Sequence, residues 1–525
     1  MTAKILVTEP LAEAGLAILS TRHEVVCALN PSPEELLRRV ADCDALIVRS
    51  NTRVTAEVLA AAPRLQVVGR AGTGVDNIDV EAATRHGVIV LNAPEANTVA
   101  VAEHTLALML ALARHIPEAN AGLHAGHWEK KRLMGSELQD KTLGLVGLGR
   151  VGGAVAGRAG AFGMHLLAYD PFVAPERAAQ MGVELMALEE LLARADYISL
   201  HVPGGERTRN IIDAAALARV KPGACLVNCA RGDLVDEDAL CAALHSGRLA
   251  GAALDVFCAE PCVSNALRAC PNLLLTPHLG ASTAEAQNGA GIQVARQVLD
   301  VLEGRPPRYP VNVTALPPEE LAFLRPYLDL AARLGRLYAQ LAEGHLTGLR
   351  LTYGGELADH DCAPLTAAAL AGLLAEGGAD PVNVVNAGTI ARDRGLAVSE
   401  SRTAEAHGFS ALISLEAATQ AGSSSLCGTV MRDEPHLVCL DGYWLDLILA
   451  GRLLVSRHTE RPGVLGQMGT ILGEAGVNIA FVQVGREHRG GRGLMVLGVD
   501  EAPPPAAIAR VLAMPSIQQA RLATL

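Results

Sequence analysis

The chain has 525 residues, and because a single hydrophobic core stops growing well below that length, we expect two to four domains. Its net charge of −12, without a long basic run, argues against a nucleic-acid-binding surface. The amino terminus lacks a basic region and a long apolar segment, so we predict no secretory signal, no membrane anchor and a cytoplasmic protein. The 11 cysteines are scattered and odd in number, which indicates reduced thiols and no metal site.

Short apolar runs alternate with helix-like segments over the first hundred residues, and this alternation predicts a parallel α/β domain. Ligands of such sheets bind beyond the carboxyl ends of the strands. Arg49 and Arg70 each follow a predicted strand, and we expect them to bind the carboxylate or phosphate of an acid. Solvated loop arginines are the alternative, which we prefer for Arg53. The predicted strands are residues 5–7, 45–48, 65–68 and 88–91.

Residues 97–116 are mostly apolar and predict one long helix. Glu103 and His104 lie near its middle and the apolar stretch is too short to span a membrane, so we interpret it as a buried helix. Residues 123–137 form a partly basic predicted loop that contains Lys130. This lysine is either ordinary surface charge or a group that projects into the cleft of a neighbouring subunit.

Residues 141–170 have the order strand, glycine turn, helix, strand, which is typical of a nucleotide-binding unit. Gly147 permits the tight turn, Gly149 lets backbone approach a pyrophosphate, and Gly152 lets helix and strand pack closely. Asp170 closes the second strand at the spacing expected for a carboxylate that binds the adenine ribose. Because that carboxylate repels a 2′-phosphate, we predict NAD rather than NADP as the cofactor.

Three polar residues follow later strands of the same predicted sheet, which has about six strands. A 2-hydroxy acid loses a proton from oxygen and a hydride from carbon, so its oxidation needs a base and a cation near the nicotinamide. His278 suits the base, Glu260 can fix its tautomer, and Arg231 can bind the carboxylate. Each residue alone is more often structural, but their shared position favours catalysis. The predicted strands are residues 197–200, 225–228, 252–256 and 273–275.

A proline-rich stretch at 305–318 predicts a linker to a carboxyl-terminal half of different character. The residues up to about 450 predict a small α/β domain without a catalytic constellation. The last 75 residues or so predict the order βαββαβ, a ferredoxin-like unit of the kind that often binds small ligands between paired copies.

Several stretches together resemble the D-2-hydroxyacid dehydrogenases: GRAGTGVDNID (69–79), GLGRVG (147–152), NCARGDLVDEDAL (228–240), LDVFCAEP (254–261) and TPHLGAST (276–283). The resemblance runs over nearly the whole chain and includes the intervening domain and the ACT domain of the long members of the family. It implies an α/β protein with a doubly wound parallel Rossmann sheet, a flavodoxin-like substrate domain, an α+β intervening domain and a ferredoxin-like ACT domain. The implied division is 1–97 plus 288–311 for substrate, 98–287 for NAD, 312–450 for the intervening domain and 451–525 for regulation.

The resemblance also implies an activity, the NAD-dependent oxidation of 3-phospho-D-glycerate in the first step of L-serine biosynthesis. Arg231, Glu260 and His278 match the catalytic residues of the family. The implied NAD contacts are Thr73, Gly147, Gly149, Arg150, Val151, Gly152, Asp170, Cys229, Ala230, Asp255 and Gly280, and the implied substrate contacts are Arg49, Arg70, Gly72, Asn97 and Lys130.

In the family, ACT domains bind L-serine at a dimer interface, so the resemblance implies feedback inhibition and a homo-oligomer, usually a tetramer. His458, Glu460 and Asn478 fall on positions that match serine-contacting residues, although some members carry asparagine in place of Glu460. One alternative is a glyoxylate or hydroxypyruvate reductase, whose likeness to this chain generally ends near residue 310. Another is an NAD-sensing corepressor-like binding protein, from which enzymatic turnover distinguishes the chain.

Overall fold

The first ninety residues build a five-stranded parallel sheet. A computed structural model describes residues 2–262, 264–375, 381–420 and 422–525. Its first elements are β1 (Lys4–Val7), α1 (Glu13–Ser20), β2 (Glu24–Cys27), α2 (Pro33–Val40), β3 (Ala45–Val48), α3 (Ala56–Ala60), β4 (Val67–Arg70), α4 (Val80–Arg85) and β5 (Ile89–Leu91). The strands lie in the flavodoxin-like order β2-β1-β3-β4-β5, with apolar clusters on both faces. Strand β4 begins two residues later than predicted because a turn, in which Leu65 N donates to Ala62 O, precedes it.

The predicted helix over residues 97–116 is confirmed as α5 (Thr98–Ala113), which ends three residues earlier than predicted and is followed by a second helix, α6 (Ile116–His124). His115 between them adopts a left-handed backbone with φ of 50°. Pro117 has no N–H to donate to the carbonyl of Ala113, which instead accepts a hydrogen bond from Ser136 N. Among the described residues no single helix is long and apolar enough to cross a membrane; α5 and α6 pass that test only as a pair, and they are bent by 62°.

A second parallel sheet has seven strands. They lie in the order β12 (Leu273–Leu275), β11 (Leu249–Leu254), β10 (Ala224–Asn228), β9 (Tyr197–Leu200), β6 (Thr142–Val146), β7 (His165–Tyr169) and β8 (Glu184–Leu185). The order reverses between the strand that precedes the glycine turn and its neighbour, as in doubly wound nucleotide-binding sheets. The predicted count of about six strands omits only the two-residue β8. The elements are β6 (Thr142–Val146), α7 (Arg150–Ala161), β7 (His165–Tyr169), α8 (Pro175–Gln180), β8 (Glu184–Leu185), α9 (Leu188–Arg194), β9 (Tyr197–Leu200), α10 (Ala214–Arg219), β10 (Ala224–Asn228), α11 (Glu237–His245), β11 (Leu249–Leu254), α12 (Asn265–Ala269) and β12 (Leu273–Leu275).

The chain then returns to the first sheet through the helix α13 (Ala284–Leu302), which packs on α1 and β4. Gln297 donates from Nε2 to the carbonyl of Asn92 at 2.9 Å, and Asn312 accepts a hydrogen bond from Val90 N at 2.9 Å. Residues that are distant in the sequence therefore pack on the first sheet and complete its unit.

The third sheet is mixed and has six strands, with two long helices packed together on one face. Its elements are α14 (Pro318–Leu341), β13 (Leu346–Gly355), α15 (Ala363–Leu374), α16 (Ala387–Asp393), β14 (Ala397–Thr403), β15 (Ala411–Thr419), β16 (Gly422–Met431), β17 (Glu434–Leu440) and β18 (Tyr443–Ile448), with the strands in the order β14-β13-β15-β16-β17-β18.

The carboxyl-terminal unit confirms the predicted order βαββαβ. Two helices cover one face of an antiparallel sheet. Its strands lie in the order β20 (Ile479–Arg486), β21 (Arg492–Val499), β19 (Arg452–Thr459) and β22 (Ile517–Thr524). The elements are β19 (Arg452–Thr459), α17 (Val464–Glu474), β20 (Ile479–Arg486), β21 (Arg492–Val499), α18 (Pro505–Leu512) and β22 (Ile517–Thr524).

The expectation that all thiols are reduced is wrong at one place. Cys241 on α11 and Cys270 after α12 form a disulfide, with their Cα atoms 5.8 Å apart. The two cysteines are 29 residues apart in the sequence, and only the packing of the two helices brings them together. The other nine cysteines are free thiols.

Candidate active site

Glu260 and His278 form a hydrogen-bonded pair just beyond the carboxyl ends of β11 and β12. Oε2 of Glu260 lies 2.8 Å from Nδ1 of His278, so the second ring nitrogen is the one that can face a substrate. Oε1 of the same carboxylate accepts a hydrogen bond from Phe257 N at 3.1 Å. Both side chains remain accessible, with 52% of His278 and 39% of Glu260 exposed. The predicted pairing of a carboxylate with an imidazole is thus present geometrically.

Asp255 organises the loop that carries this histidine. The backbone of His278 is left-handed with φ of 54°, and its N–H donates to the carbonyl of Asp255 at 2.9 Å. The Asp255 carboxylate is fully buried. Burial by itself would raise the pKa of Asp255. Hydrogen bonds outweigh the effect of burial and hold the pKa below its ordinary value; the donors are His104, then Thr276 and two backbone N–H groups. The two backbone donors are the N–H groups of Leu279 and Gly280, at 2.7 and 2.8 Å.

Arg231 follows β10 and reaches across the crevice toward the first sheet. Its Nε lies 3.3 Å from Oδ2 of Asp76, a residue of the loop after β4. Its Nη1 donates to the carbonyl of Ala230 at 2.7 Å, and its own carbonyl accepts a hydrogen bond from the Asn228 side chain. The guanidinium is thereby held near the same crevice as the histidine and glutamate.

Arg49 and Arg70 place two more guanidinium groups at the carboxyl ends of β3 and β4. Burial lowers the pKa of Arg70, and the positive charge of Arg231 lowers it further, although an arginine stays protonated at neutral pH. Nε of Arg70 is buried and has no hydrogen-bond partner among the described residues, while its Nη2 donates to Ser50 at 3.2 Å. A cavity of about 160 Å³ lies beside Arg49. A buried donor that lacks a protein partner, such as Nε of Arg70, is suited to an anionic ligand.

Glu9 positions the Arg49 loop, and the sequence analysis missed it. Only 4% of Glu9 is exposed, and its carboxylate accepts hydrogen bonds from the backbone N–H groups of Arg49, Asn51 and Thr52 at 2.9, 3.2 and 3.0 Å. Glu9 stands just beyond the end of β1, so the rule that polar residues after strand ends mark the site would have identified it. Asp76, within the quoted stretch 69–79, was overlooked in the same way.

The glycine turn after β6 fits the pyrophosphate of NAD. Gly147 has φ of 99°, a conformation that favours glycine, and a Cβ on Gly152 would lie within 3.0 Å of the Gly147 carbonyl oxygen. A Cβ on Gly149 meets open space, so the backbone is accessible there. Helix α7 begins at Arg150 and presents its first N–H groups at the turn. Asp170 lies beside the turn, where its Oδ2 accepts a hydrogen bond from Leu148 N at 2.8 Å.

His201, which the sequence analysis did not select, supports this turn from below. A Cβ on Gly147 would lie 2.8 Å from the His201 carbonyl, which shows how closely the two backbones approach. Burial lowers the pKa of His201 to about 4, and its Nε2 lies 2.9 Å from the Ser199 hydroxyl. The imidazole is therefore neutral at physiological pH and adds no charge beneath the cofactor seat.

The other candidate contacts follow strands of the two parallel sheets. The Thr73 hydroxyl donates to Oδ1 of Asn97 at 2.8 Å, at the start of α5. Cys229 is buried, and burial raises its pKa to about 12, so it is a neutral thiol. Gly72, Val151 and Ala230 lie in the loops or helix starts after β4, β6 and β10. Within the described parts of the chain, no group of three or more His, Cys, Asp or Glu residues could hold a metal ion.

Comparison with known proteins matches three parts of the fold to family profiles and nearly the whole chain to relatives. The sequence profile of the D-isomer specific 2-hydroxyacid dehydrogenase NAD binding domain matches residues 106–280, that of the D-3-phosphoglycerate dehydrogenase intervening domain matches 323–441, and that of the ACT domain matches 451–515. D-3-phosphoglycerate dehydrogenase of Methanocaldococcus jannaschii is 45% identical over 516 residues, 98% of this chain and 98% of that protein. The enzyme of that name from Synechocystis sp. is 43% identical over 520 residues, 99% of this chain and 94% of the relative. The chain belongs to the D-3-phosphoglycerate dehydrogenase family.

Membership of this family makes the chain an oxidoreductase with an NAD-binding domain. Among solved structures, an NAD-dependent formate dehydrogenase from Staphylococcus aureus in complex with NAD is 31% identical to it, with a TM-score of 0.54. The match covers 60% of this chain and 100% of that chain. The cofactor predicted from the glycine turn and Asp170 is therefore confirmed as NAD.

The ACT domain of this family member brings two of the three candidate effector residues together. Glu460 follows His458 by two residues; hydrogen bonds from Gly490 N and then from Arg486 lower its pKa. His458 is buried, burial lowers its pKa, and its Nδ1 has no partner among the described residues. The strand registers place Asn478 next to the Val499 end of β21 and His458 opposite Gly493, about 20 Å apart along the strands.

Lys130 lies outside the crevice of its own chain. It is exposed in the segment between α6 and β6, which ends at the amino edge of the second sheet. There the hydroxyls of Ser136 and Tyr197 lie 3.5 Å apart, at the start of β9. The catalytic candidates occupy the opposite, carboxyl edge, so this chain alone does not bring Lys130 to them.

Proposed function

We propose that this chain oxidises 3-phospho-D-glycerate to 3-phosphohydroxypyruvate, the first step of L-serine formation. The observation that carries the proposal is the 2.8 Å contact between Glu260 and His278 beside Arg231. His278 takes the proton from the substrate hydroxyl through Nε2, while Glu260 holds Nδ1 and stabilises the imidazolium. Bound NAD accepts the hydride from the substrate carbon.

The three arginines bind a substrate that carries both a carboxylate and a phosphate. Arg231 binds the carboxylate and, in the reverse direction, polarises the carbonyl. Arg49 and Arg70 add two positive charges at the neighbouring strand ends, which suits a phosphorylated acid better than glyoxylate. Gly72 and Asn97 line the same side. Lys130 acts in the crevice of an adjoining subunit, so the active site depends on a homo-oligomer.

NAD is held across the carboxyl edge of the second sheet. The glycine turn of Gly147, Gly149 and Gly152 binds the pyrophosphate, and Asp170 binds the adenine ribose. The remaining contacts in this proposal are Thr73, Arg150, Val151, Cys229, Ala230, Asp255 and Gly280. The corresponding division of the chain is residues 1–97 plus 288–311 for substrate and 98–287 for NAD.

L-serine binds the ACT domain and inhibits the cytoplasmic enzyme. Because His458 and Glu460 lie far from Asn478 within one chain, a serine site that uses all three takes Asn478 from a second copy. This arrangement makes the effector site a property of a dimer interface and is consistent with a tetramer. The intervening and ACT domains, residues 312–450 and 451–525, favour this reading over a glyoxylate or hydroxypyruvate reductase.

The deciding experiment follows NADH formation from 3-phospho-D-glycerate, with a hydrazine trap for the keto product, in the presence of L-serine or D-serine. Turnover that L-serine but not D-serine suppresses supports both the substrate and the effector. Turnover that is indifferent to L-serine retains the dehydrogenase and refutes the effector. Activity on glyoxylate alone establishes the reductase, and NAD binding without turnover of any hydroxy acid establishes a corepressor-like protein.

A further inference from the structure

Four side chains form one row across the outer face of the third sheet. Ser414, Cys427, Cys439 and Trp444 lie directly opposite one another on β15, β16, β17 and β18. The residues that precede Cys427 and follow Cys439 are leucines of the core beneath α14 and α15. Because successive side chains of a strand point to opposite faces, the row lies on the face away from those helices.

The register of β16 and β17 makes Cys427 and Cys439 direct partners across the two strands. Directly opposed residues of antiparallel strands have Cα atoms about 4.5–5.5 Å apart, within the range of about 4.4–6.8 Å that a disulfide spans. Both thiols are free in this structure. They belong to neighbouring strands joined by a short turn, and the strand register shifts between Cys427 and Gly428, next to the pair.

The two sulfurs differ chemically. A hydrogen bond from the Cys439 thiol lowers the pKa of Cys427 against the opposing effect of burial, and the Ser414 hydroxyl donates a second bond at 3.4 Å. The same contact and burial raise the pKa of Cys439. Cys427 is therefore the more acidic of the two thiols and Cys439 the less acidic partner, which is the division of roles found in reactive cysteine pairs.

The two thiols differ in their exposure to solvent. Cys427 is partly exposed, whereas Cys439 is 7% exposed. A loop lies over this face, with the His407 and Phe409 rings 5.5 and 6.5 Å from the Trp444 ring. Cys427 packs against the small apolar cluster beneath that loop.

We propose that Cys427 and Cys439 are a site of reversible oxidation by hydroperoxides. The Cys427 thiolate attacks one peroxide oxygen, the O–O bond breaks, and the departing oxygen takes a proton to leave as water or an alcohol. The Cys439 sulfur then attacks the resulting sulfenic acid, so that an S–S bond forms, the S–O bond breaks, and water carries away the Cys439 proton. The two thiols lose two electrons and the peroxide gains them.

The test treats the full-length protein with one equivalent of hydrogen peroxide, blocks remaining thiols with iodoacetamide and maps tryptic peptides by mass spectrometry. Cleavage after Arg402, Arg432 and Arg452 puts Cys427 and Cys439 on separate peptides, 403–432 and 433–452. We expect these peptides to be joined after peroxide and separated again by dithiothreitol. The Cys241–Cys270 disulfide, which also joins two tryptic peptides, is the internal control for recovery of linked peptides.

Two further measurements assign the roles. In Cys439→Ser we expect dimedone to trap a sulfenic acid at Cys427, and in Cys427→Ser no oxidation at Cys439. Iodoacetamide at pH 7 should alkylate Cys427 faster than Cys439, because Cys427 is the more acidic and the more exposed of the two thiols. Absence of the linked peptide when the control peptide is recovered, or faster alkylation of Cys439 than of Cys427, overturns the proposal.

Discussion

Replacing Gly152 with alanine tests whether the turn after β6 is the cofactor seat. The added Cβ would lie within 3.0 Å of the carbonyl oxygen of Gly147, a backbone atom of the turn itself. No side chain can move aside to relieve the clash, so the start of α7 has to withdraw from the turn. Gly157 provides the matched control, because it lies in the same helix, is exposed, and would place a Cβ with no atom within 4 Å.

The expected loss follows from the size of that displacement. Restoring ordinary van der Waals separation requires a shift of about 1 Å, and misplacement by about 1 Å of groups that bind a reactant can reduce their effect by ~10²-fold. We therefore expect the Kd of Gly152→Ala for NAD to rise by about 10- to 100-fold. Gly157→Ala should bind NAD normally and gain about 0.4–1 kcal/mol of stability, since alanine reduces the entropy of the unfolded chain.

Calorimetric titration with NAD, together with thermal unfolding of both variants without ligand, measures the two effects separately. If Gly152→Ala binds NAD within twofold of the unaltered chain, the turn is not the pyrophosphate seat. Equal losses of affinity in both variants would also refute the reasoning, because they would show that the helix as a whole, rather than the close approach at Gly152, controls binding.

Four other substitutions or conditions test separate parts of the site. His278→Ala should lower kcat at least ~10²-fold with unchanged NAD affinity, and undiminished turnover removes it from the role of base. Asp170→Ala should shift the ratio of kcat/KM values toward NADP, and an unaltered ratio excludes the ribose contact. Glu9→Gln should raise the KM for the hydroxy acid about tenfold by loosening the Arg49 loop, with kcat preserved and partial recovery in Glu9→Asp. The pKa of His201 is about 4 in the folded protein and near 6.5 in the unfolded chain, so its contribution to the free energy of unfolding is complete above pH 6.5 and falls as the pH drops. Urea unfolding should therefore show a free energy of unfolding that is about 2 kcal/mol lower at pH 5 than at neutral pH, and His201→Gln should lack this decrease.

The parallel sheets and their strand ends could be predicted from the sequence, because buried parallel strands are short apolar runs and the residues after them meet at one edge. This rule brought Arg231, Glu260 and His278 to one crevice. The same rule was not applied to Glu9 after β1, although the residue types and position are equivalent. The helix break at His115 was foreseeable from Pro117, whose missing N–H the continuous helix would have needed.

Other features depend on packing that no local pattern records. Cys241 and Cys270 meet because α11 and α12 pack together, and Cys427 meets Cys439 through strand register. The registers of β19 and β20 on β21 also separate His458 from Asn478. A comparison of sequence motifs alone treats these two residues as members of one site. In each case the deciding quantity is the alignment of two elements, and a shift of one residue along a strand would change the outcome.

The charges around the crevice explain why its arginines are available to a substrate. Arg70 experiences repulsion from Arg231 and Arg49 and attraction from Asp76 and Glu9, so the guanidinium groups are only partly neutralised by the protein. Glu9 is buried and committed to backbone N–H groups, whereas the Asp76 side chain is 75% exposed. An ion pair this exposed contributes about 0–1 kcal/mol, and a substrate carboxylate that forms two parallel bonds to Arg231 can replace it at little cost. A buried carboxylate would hold Arg231 more firmly and would oppose substrate binding. The Asp76 contact orients Arg231 across the crevice, and because the contact is weak, a substrate carboxylate can replace Asp76.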